Sequence, residues 1–314
     1  MSRLLYNTLK LLRPRQWIKN FAIFAAITFK GQLFEPSVFL RVSIAFIIFC
    51  MLSSAIYIIN DIFDVKRDRL HPFKRFRPLA HKDLSVEYAL ALAMCLLFVS
   101  FWVGFFVNPT FFLLTIAYFL LQVSYTVFLK HIVILDILAI ASGYILRVYA
   151  GEFASGLHIS VWLLLTTISI SLLLAAGKRR SELTLLLGNP NTKIEITRKS
   201  LSRYSERLLD VYASIFATST FISYSLFTFL ENESGFKLSI GVLMPDFLPS
   251  FFQKKWLMIT ILPVVYGLMR YLEDVYERHE GESPERVLLS DKPLLTSVLL
   301  WILLVIAIIY YVGP

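Results

Sequence analysis

Three aspartates are spaced so that they share one face of a helix. Asp61, Asp64 and Asp68 follow Asn60 at intervals of three and four residues. On an α-helix, residues spaced in this way lie within roughly 60° of one another. Hard oxygen ligands in this arrangement suit Mg²⁺, which takes one or two carboxylates and completes its shell with water and phosphate oxygens. The spacing therefore predicts a Mg²⁺ site with Asp61, Asp64 and Asp68 as ligands.

A group of cations follows the aspartates. Pro72 is expected to end the helix near Leu70, because the residue before a proline avoids the helical region. Lys74, Arg75 and Arg77 come next. Arginine offers a planar fork to phosphate oxygens, and lysine offers a mobile point charge. A metal-binding acidic face followed by cations favours a diphosphate ligand, and the alternative is a solvated loop with local salt bridges.

A second basic stretch lies further along the chain. It runs Gly177-Lys178-Arg179-Arg180-Ser181-Glu182, with Glu182 one helical turn beyond Lys178. Three adjacent cations suit one or two further phosphate groups bound without a metal. The alternative is that this loop is basic because it lies in the cytoplasm, where membrane proteins retain lysine and arginine.

The composition indicates what kind of protein positions these residues. Of the 314 residues, 57% are hydrophobic and 17% are charged, and the mean hydropathy is +0.67. Soluble domains carry about a quarter of their residues as charged types, so we exclude a soluble enzyme, a disordered chain and a disulfide-stapled domain. A membrane span needs about 20 mostly apolar residues. Nine candidate spans predict an all-α polytopic membrane protein: 18–34, 39–60, 87–107, 110–128, 132–151, 160–177, 209–230, 255–272 and 293–312.

The basic residues also predict the orientation in the membrane. Of the 31 lysines and arginines, 25 fall in the N-terminal segment and in the loops on the same predicted side. Because cytoplasmic loops retain such residues, we expect a cytoplasmic N-terminus, an external C-terminus, and active-site loops at about 61–86 and 178–208 facing the cytosol. Basic residues interspersed with apolar spans argue against nucleic acid as a partner. We expect one domain over 1–314.

Two charges lie within the predicted spans. A charge near the bilayer centre costs about 2.5–3.5 kcal/mol, so such residues usually face the protein interior. We expect Asp136 to contact substrate or to pair with Lys130, and Arg147 to neutralise an internal carboxylate such as Glu152. Tyr125 is expected to point its hydroxyl at an internal cavity, unless it belongs to an interfacial aromatic belt.

The acidic motif resembles that of a known family. Asn60-Asp61-x-x-Asp64-x-x-x-Asp68 is similar to the first acidic motif of the UbiA superfamily of intramembrane prenyltransferases. The resemblance covers essentially the whole chain, and the nine predicted spans agree with it. It implies nine transmembrane helices around a central cavity open to the cytosol, with a diphosphate bound through Mg²⁺.

The second basic stretch departs from typical members of that family, which carry a second acidic motif at this position. The whole pattern resembles one branch, the decaprenyl-phosphate phosphoribosyltransferases. The stretches that carry this resemblance are Arg13–Asn20, Asp68–Pro78, Leu129–His131 with Asp136, Arg147 with Ala150-Gly151, and Ala176–Leu183. It implies 5-phosphoribosyl 1-diphosphate as donor and a polyprenyl phosphate as acceptor, in the bilayer of a bacterial inner membrane. More anionic groups in one cavity require more cations, which agrees with basic residues in place of carboxylates.

Two other functions stay open at this point. One is a prenyl-diphosphate-dependent transferase acting on an aromatic or other small acceptor, and the other is a non-catalytic carrier of lipid phosphates. The predicted catalytic residues are Asp61, Asp64, Asp68 and Asp136, of which the first three bind Mg²⁺. The predicted substrate-binding residues are Lys19, Asn60, Lys66, Lys74, Arg75, Arg77, Tyr125, Lys130, Arg147, Lys178, Arg179 and Glu182. The oligomeric state is left open, a homo-oligomer included.

Overall fold

The computed structural model describes residues 3–70, 74–187, 201–230, 255–278 and 284–312, and every regular element in these ranges is helical. The α-helices are α1 (Arg3–Leu12), α2 (Ala25–Phe29), α3 (Pro36–Leu70), α4 (Val86–Val107), α5 (Pro109–Val127), α6 (Leu135–Ser155), α7 (Val161–Leu187), α8 (Glu206–Leu230), α9 (Ile261–Tyr276), α10 (Pro284–Ser290) and α11 (Lys292–Ala307). Other helical turns lie at Lys74–Phe76, Leu129–His131, Leu201–Arg203, Trp256–Thr260 and Ile308–Val312, and a 3₁₀ helix covers Pro14–Phe24. The predicted all-α fold is confirmed.

Eight segments in the described ranges are helical and apolar over enough length to cross a membrane. They coincide with eight of the nine predicted spans. A long apolar run is stable in lipid only when its backbone polar groups bond to one another, as they do in a helix. The segments are Pro36–Lys66, Val86–Val107, Pro109–Val127, Leu135–Ser155, Val161–Leu185, Glu206–Leu230, Trp256–Tyr276 and Lys292–Tyr311. The chain is an integral membrane protein, and the count of nine spans stays a prediction.

The predicted span at 18–34 takes a different form. The chain there follows the 3₁₀ helix Pro14–Phe24 and then the five-residue α2. At 11 residues this 3₁₀ helix is long, since such runs rarely exceed about four residues. Hydropathy does not separate a 3₁₀ helix from an α-helix, because both can bury apolar side chains in the same run of sequence.

The chain divides into two compact units. The first comprises residues 1–27, 35–128 and 146–157. Its longest element is α3, whose 35 residues extend about 50 Å, more than the roughly 30 Å of a bilayer core. The C-terminal part of α3 carries Asp61, Asp64 and Asp68. The same end of α3 contributes to a buried apolar cluster of Leu11, Ile58, Val65, Leu79, Leu84, Ala89 and Ala93.

The 3₁₀ helix is fixed tightly within the first unit. Nε1 of Trp17 donates to Oγ of Ser54 (3.0 Å), and Ser54 in turn donates to the carbonyl oxygen of Leu12 (2.8 Å). Gly151 lies directly against the backbone of Ile23, because a Cβ atom at Gly151 would be 1.8 Å from the Ile23 carbonyl oxygen. Only glycine allows this close approach.

The second unit comprises residues 28–34, 129–145 and 158–314. Its helices α7 and α8 are joined by Arg180, whose Nε donates to Asp210 Oδ1 (2.7 Å) and whose Nη1 donates to Glu206 Oε1 (2.7 Å). A buried apolar cluster of Leu173, Ala213, Tyr271, Val275, Val287 and Leu294 lies among α7, α8, α9, α10 and α11. These contacts fix the part of α7 that carries the second basic stretch. One domain over 1–314 stays a prediction.

Candidate active site

The first group of functional side chains lies around the C-terminal part of α3, and we call it the aspartate cluster: Arg13, Asp61, Asp68 and Arg77. Nη1 of Arg77 donates to Oδ1 of Asp61 (3.0 Å) and to Oδ2 of Asp68 (2.7 Å). Nη2 of Arg13 donates to the same Oδ1 of Asp61 (2.5 Å). Two carboxylates therefore share one guanidinium. The predicted placement of the three aspartates on one helix, which is described through Leu70, is confirmed.

The aspartate cluster is buried on its acidic side and partly open on its basic side. The side chains of Asp61 and Asp68 are 4% and 5% exposed, whereas those of Arg13 and Arg77 are 24% and 28% exposed. Burying a carboxylate is unfavourable unless a cation and hydrogen bonds compensate, and the two arginines provide that compensation. The cluster therefore presents cations to solvent and carboxylates to the protein interior.

The oxygen donors in this part of α3 fit Mg²⁺ by their chemistry. Oδ1 of Asn60 is buried without a hydrogen-bond partner among the described residues, and Asp64 is half-buried. Within the described ranges, no three His, Cys, Asp or Glu side chains group closely enough to hold a metal by themselves. Mg²⁺ needs only one or two carboxylates when phosphate oxygens and water complete its shell. Asn60, Asp61, Asp64 and Asp68 are therefore suited to hold Mg²⁺ together with a phosphate ligand.

The sequence alone did not identify Arg13 as a site residue. Its backbone is left-handed (φ 54°), which is uncommon for a residue with a Cβ atom. Its guanidinium lies over the ring of Tyr57, 5.2 Å from the centroid. The contact between Arg13 and Asp61 joins residues 48 positions apart, which no local pattern reveals. The one available signal was its place at the start of the Arg13–Asn20 stretch.

The cations that follow α3 lie in different settings. Arg75 is exposed, and its guanidinium lies 4.8 Å from the centroid of the Phe76 ring. Lys10 of α1 donates to the carbonyl oxygen of Phe76 (3.0 Å), and Lys66 is exposed on α3. The side chain of Lys74, together with residues 71–73, lies outside the described residues. Phosphate contacts by Lys66, Lys74 and Arg75 stay predictions.

Lys19 lies on the 3₁₀ helix and is connected to the aspartate cluster. Its Nζ donates to Oε1 of Gln16 (2.7 Å), and the same oxygen accepts from the hydroxyl of Tyr57 (3.2 Å). All three side chains are half-buried. Since Arg13 lies over the Tyr57 ring, a continuous set of contacts runs from Lys19 to Asp61.

In the second unit, a separate group forms around Asp136, and we call it the Asp136 cluster: Asp136, Arg179, Glu182 and Tyr204. Nε of Arg179 lies 2.8 Å from Oδ2 of Asp136, and its Nη1 lies 2.5 Å from Oε2 of Glu182. The side chains of Arg179 and Asp136 are both 0% exposed. The sequence predicted a phosphate contact for Arg179. In the structure its guanidinium contacts two carboxylates, those of Asp136 and Glu182, and a phosphate contact stays a prediction.

Tyr204 completes the Asp136 cluster and was missed from the sequence. Its hydroxyl donates to Oδ1 of Asp136 (2.7 Å) and accepts from the backbone nitrogen of Ile134 (2.7 Å). Burial raises the pKa of Tyr204 above its ordinary value, and the hydrogen bond to Asp136 adds to this. The hydroxyl therefore keeps its proton and acts as a donor near neutral pH. Tyr204 lies 68 and 70 positions from Asp136 and Ile134, so no motif spacing indicated it.

Arg147 is buried in the first unit. Its Nε donates to Oδ1 of Asn20 (2.8 Å), and its Nη2 donates to the hydroxyl of Tyr118 (2.6 Å). The guanidinium also lies 5.0 Å from the centroid of the Tyr118 ring. Asn20 is 0% exposed, so these bonds hold the 3₁₀ helix against the core of the unit. A direct substrate contact by Arg147 stays a prediction.

The remaining predicted site residues lie on three different elements. Tyr125 on α5 is half-buried, as is Lys178 on α7. Lys130, in the turn Leu129–His131, is 9% exposed. Substrate contact by these three residues stays a prediction.

Comparison with known proteins gives consistent matches. Residues 20–178 match the UbiA prenyltransferase family. A protein of Corynebacterium glutamicum named decaprenyl-phosphate phosphoribosyltransferase is 36% identical, and the alignment covers 96% of this chain and 86% of that protein. The protein of the same name from Mycolicibacterium smegmatis is 34% identical, with 99% of this chain and 94% of that protein covered.

The solved structures include a similar fold. A UbiA homologue from Archaeoglobus fulgidus bound to GPP and Mg²⁺ superposes with a TM-score of 0.69 at 18% identity, covering 96% of this chain and 99% of the other. At this identity the likeness concerns the fold.

Proposed function

The chain belongs to the UbiA prenyltransferase family, and from this membership we propose that it transfers 5-phosphoribose from 5-phosphoribosyl 1-diphosphate to a polyprenyl phosphate, releasing diphosphate. The observation that carries the proposal is the similarity, over nearly the whole chain, to two proteins named decaprenyl-phosphate phosphoribosyltransferase. The chemistry of the aspartate cluster, with buried carboxylates and partly exposed arginines, supports it.

We assign the donor's diphosphate to the aspartate cluster. Asp61 and Asp68, with Asn60 and Asp64, would hold Mg²⁺, which when bound supplies positive charge to the diphosphate oxygens. The guanidinium groups of Arg13 and Arg77 are partly exposed and can donate to further phosphate oxygens through their planar forks. Lys66, near the end of α3, and Lys74 and Arg75, in the turn that follows it, add positive charge nearby in the sequence.

The reaction exchanges one bond at the ribose for another. The bond between C1 and the diphosphate oxygen breaks, and a bond forms between C1 and an oxygen of the lipid phosphate. Negative charge grows on the departing diphosphate, where preorganised arginine donors stabilise it. A phosphate monoester has a second pKa of about 6, so the lipid phosphate is already ionised near neutral pH. No side chain has to remove a proton from it.

The two clusters receive different roles in this proposal. Arg179 is fully buried between Asp136 and Glu182, which supports a positioning role for the Asp136 cluster in place of direct substrate contact. Lys178 is adjacent on α7 and half-buried, and we assign it, with Lys130, to a substrate phosphate.

We also propose the topology that the charge distribution predicts: a bacterial inner-membrane protein with a cytoplasmic N-terminus, an external C-terminus and a cavity open to the cytosol. In a variant in which Cys50 and Cys95 are replaced by serine, a cysteine placed at the exposed Lys82 should react with a membrane-impermeant maleimide in inside-out vesicles and resist it in right-side-out vesicles. Reaction from the outside alone would reverse the proposed orientation.

Mass spectrometry of the lipid product tests the proposed function directly. The purified protein in nanodiscs is incubated with decaprenyl phosphate, Mg²⁺ and 5-phosphoribosyl 1-diphosphate labelled with ¹³C in the ribose. We expect a lipid whose mass carries the labelled phosphoribose, together with free diphosphate, and loss of both on chelation of Mg²⁺. A parallel incubation with a prenyl diphosphate and an aromatic acceptor should give no product. Prenyl transfer without ribosyl transfer would overturn the proposal.

A further inference from the structure

The 3₁₀ helix sorts its side chains into three rows with different surroundings. A 3₁₀ helix has three residues per turn, so side chains three positions apart eclipse one another. The rows are Pro14-Trp17-Asn20-Ile23, Arg15-Ile18-Phe21-Phe24 and Gln16-Lys19-Ala22. The first row becomes buried from Asn20 onward, and the second includes Phe21, which is 61% exposed. The third is half-buried throughout, and we call it the polar row.

We propose that the polar row binds the phosphate of the lipid acceptor, with Lys19 as the phosphate ligand and Gln16 as the residue that positions it. This inference rests on the proposed function and adds a site for the second substrate.

The separation of Lys19 from Arg13 supports a second phosphate site. Arg13 precedes the helix in a left-handed conformation, and at about 2.0 Å of rise per residue the five steps from Pro14 to Lys19 correspond to about 10 Å along the helix axis. Arg13 binds Asp61 and is assigned to the donor's diphosphate. Lys19 and Arg13 therefore leave the backbone at separate points, and we assign Lys19 to a phosphate other than the donor's diphosphate.

The surroundings of the polar row favour a phosphate with an apolar attachment. Beyond Lys19 the row ends in Ala22, and the chain continues into the apolar sequence of α2, Ala25–Phe29. A polyprenyl phosphate has this combination of an anionic head and an apolar tail. The 5-phosphate of the donor is attached to a hydroxylated sugar and has no apolar tail.

Gln16 is suited to hold the ammonium group without cancelling its charge. Its amide oxygen accepts from both Lys19 and Tyr57, and an amide is neutral. A glutamate at this position would have the same size and would form an ion pair with Lys19. Such a pair would compete with an incoming phosphate, so Gln16→Glu tests the proposal with almost no change in shape.

Two-substrate kinetics in nanodiscs test the inference. For Lys19→Gln and Gln16→Glu we expect the KM for decaprenyl phosphate to rise about tenfold or more, as for loss of a charged hydrogen bond, and the KM for the donor to stay unchanged. Lys19→Arg should recover most of the acceptor affinity. The matched control is Arg15→Gln, an exposed cation in a different row of the same helix, which should leave both KM values unchanged.

Direct binding separates this inference from the proposed function. Native mass spectrometry without donor should detect decaprenyl phosphate bound to the wild-type protein and markedly less bound to Gln16→Glu. An unchanged acceptor KM in both variants, or an increase confined to the donor KM, would overturn the inference and leave the proposed function intact. Lipid binding of the expected pattern in a protein that forms no ribosyl lipid would instead overturn the proposed function.

Discussion

Carboxylates and guanidinium groups meet in both the aspartate cluster and the Asp136 cluster, but in very different environments. The side chains of Arg13 and Arg77 keep 24% and 28% of their surface exposed, whereas Arg179 is 0% exposed. A guanidinium enclosed in this way cannot turn toward a phosphate without leaving Asp136 buried and unpaired, which is strongly unfavourable. Arg13 and Arg77 are partly exposed, so their guanidinium groups can reach a phosphate, and Mg²⁺ bound with that phosphate would compensate the buried carboxylates of the aspartate cluster.

In the proposed function this difference separates the residues assigned to substrate from the residues assigned to positioning the site. Both clusters lie in stretches whose charges predict phosphate binding, and composition alone does not distinguish them. The exposed fraction of the arginine side chains distinguishes the two clusters. We therefore expect substitutions in the Asp136 cluster to reduce stability first, and substitutions in the aspartate cluster to reduce activity first.

The largest effect is expected for Arg179→Met. Removing the cation leaves Asp136 buried without its ionic partner, so we expect the free energy of unfolding to fall by about 3–5 kcal/mol. Reversible denaturation in mixed micelles measures this loss, and the exposed Arg286→Met of the same unit is the control. The double variant Asp136→Leu/Arg179→Met should regain much of the loss, because the fully buried carboxylate is removed together with its cation and only the partly exposed Glu182 is left without Arg179. Equal losses in the single and double variants would refute the ion pair.

Asp68→Asn is expected to reduce activity, and its effect expressed as a free energy is smaller than the stability loss expected for Arg179→Met. The amide keeps the shape of the carboxylate and removes the charge that pairs with Arg77 and that we propose as a ligand charge for Mg²⁺. We expect kcat/KM to fall about a hundredfold, the size of effect seen when one electrostatic contact to a developing charge is removed. Steady-state assays measure this, with the exposed Glu87→Gln as control. Unchanged turnover would exclude Asp68 from the site.

Arg77→Lys sharpens the comparison further. Lysine keeps the charge but loses the fork that bridges Asp61 and Asp68, so we expect about a tenfold lower kcat/KM. Since Arg77 is partly exposed, the free energy of unfolding should change by about 1 kcal/mol or less. Assays and denaturation are run beside Arg41→Lys, an exposed arginine at the other end of α3. A large loss of stability with normal activity in Arg77→Lys would show that the aspartate cluster stabilises the fold as the Asp136 cluster does, and would contradict the expected difference.

The smallest effect is expected for Tyr204→Phe. The substitution removes a hydroxyl that bonds Ile134 and Asp136, so the free energy of unfolding should fall by about 1 kcal/mol. The exposed Tyr266→Phe should leave stability unchanged. A pronounced drop in kcat with unchanged stability would indicate that the Asp136 cluster takes part in the chemistry and does more than position α7.

Local patterns in the sequence were sufficient for part of this structure. Long apolar runs identified eight membrane helices, and the spacing of Asp61, Asp64 and Asp68 placed them on one helix, because both features depend on neighbouring residues. The pairing of Asp136 with Arg179 joins two distant helices, and the contacts of Arg13 and Tyr204 join distant segments in the same way. Such contacts depend on tertiary packing, which spacing does not encode.

The 3₁₀ helix marks a second limit of the sequence. Residues 18–34 have the hydropathy of a span, yet they include the end of a 3₁₀ helix and a short α-helix. Tight packing at Gly151 and hydrogen bonds of Trp17 and Asn20 to α3 and α6 hold the 3₁₀ helix in place, and these contacts join residues far apart in the sequence. The polar row exists only because this segment is a 3₁₀ helix, and the sequence predicted Lys19 as a substrate residue without the geometry that explains it.

The most direct test of the aspartate cluster as the donor site is equilibrium binding of 5-phosphoribosyl 1-diphosphate to the protein in nanodiscs, measured by calorimetry with and without Mg²⁺. The wild-type protein and Glu87→Gln should bind the donor only when Mg²⁺ is present, and Asp61→Asn should lose this binding while remaining folded. Equal, metal-independent binding by wild type and Asp61→Asn would contradict the assignment.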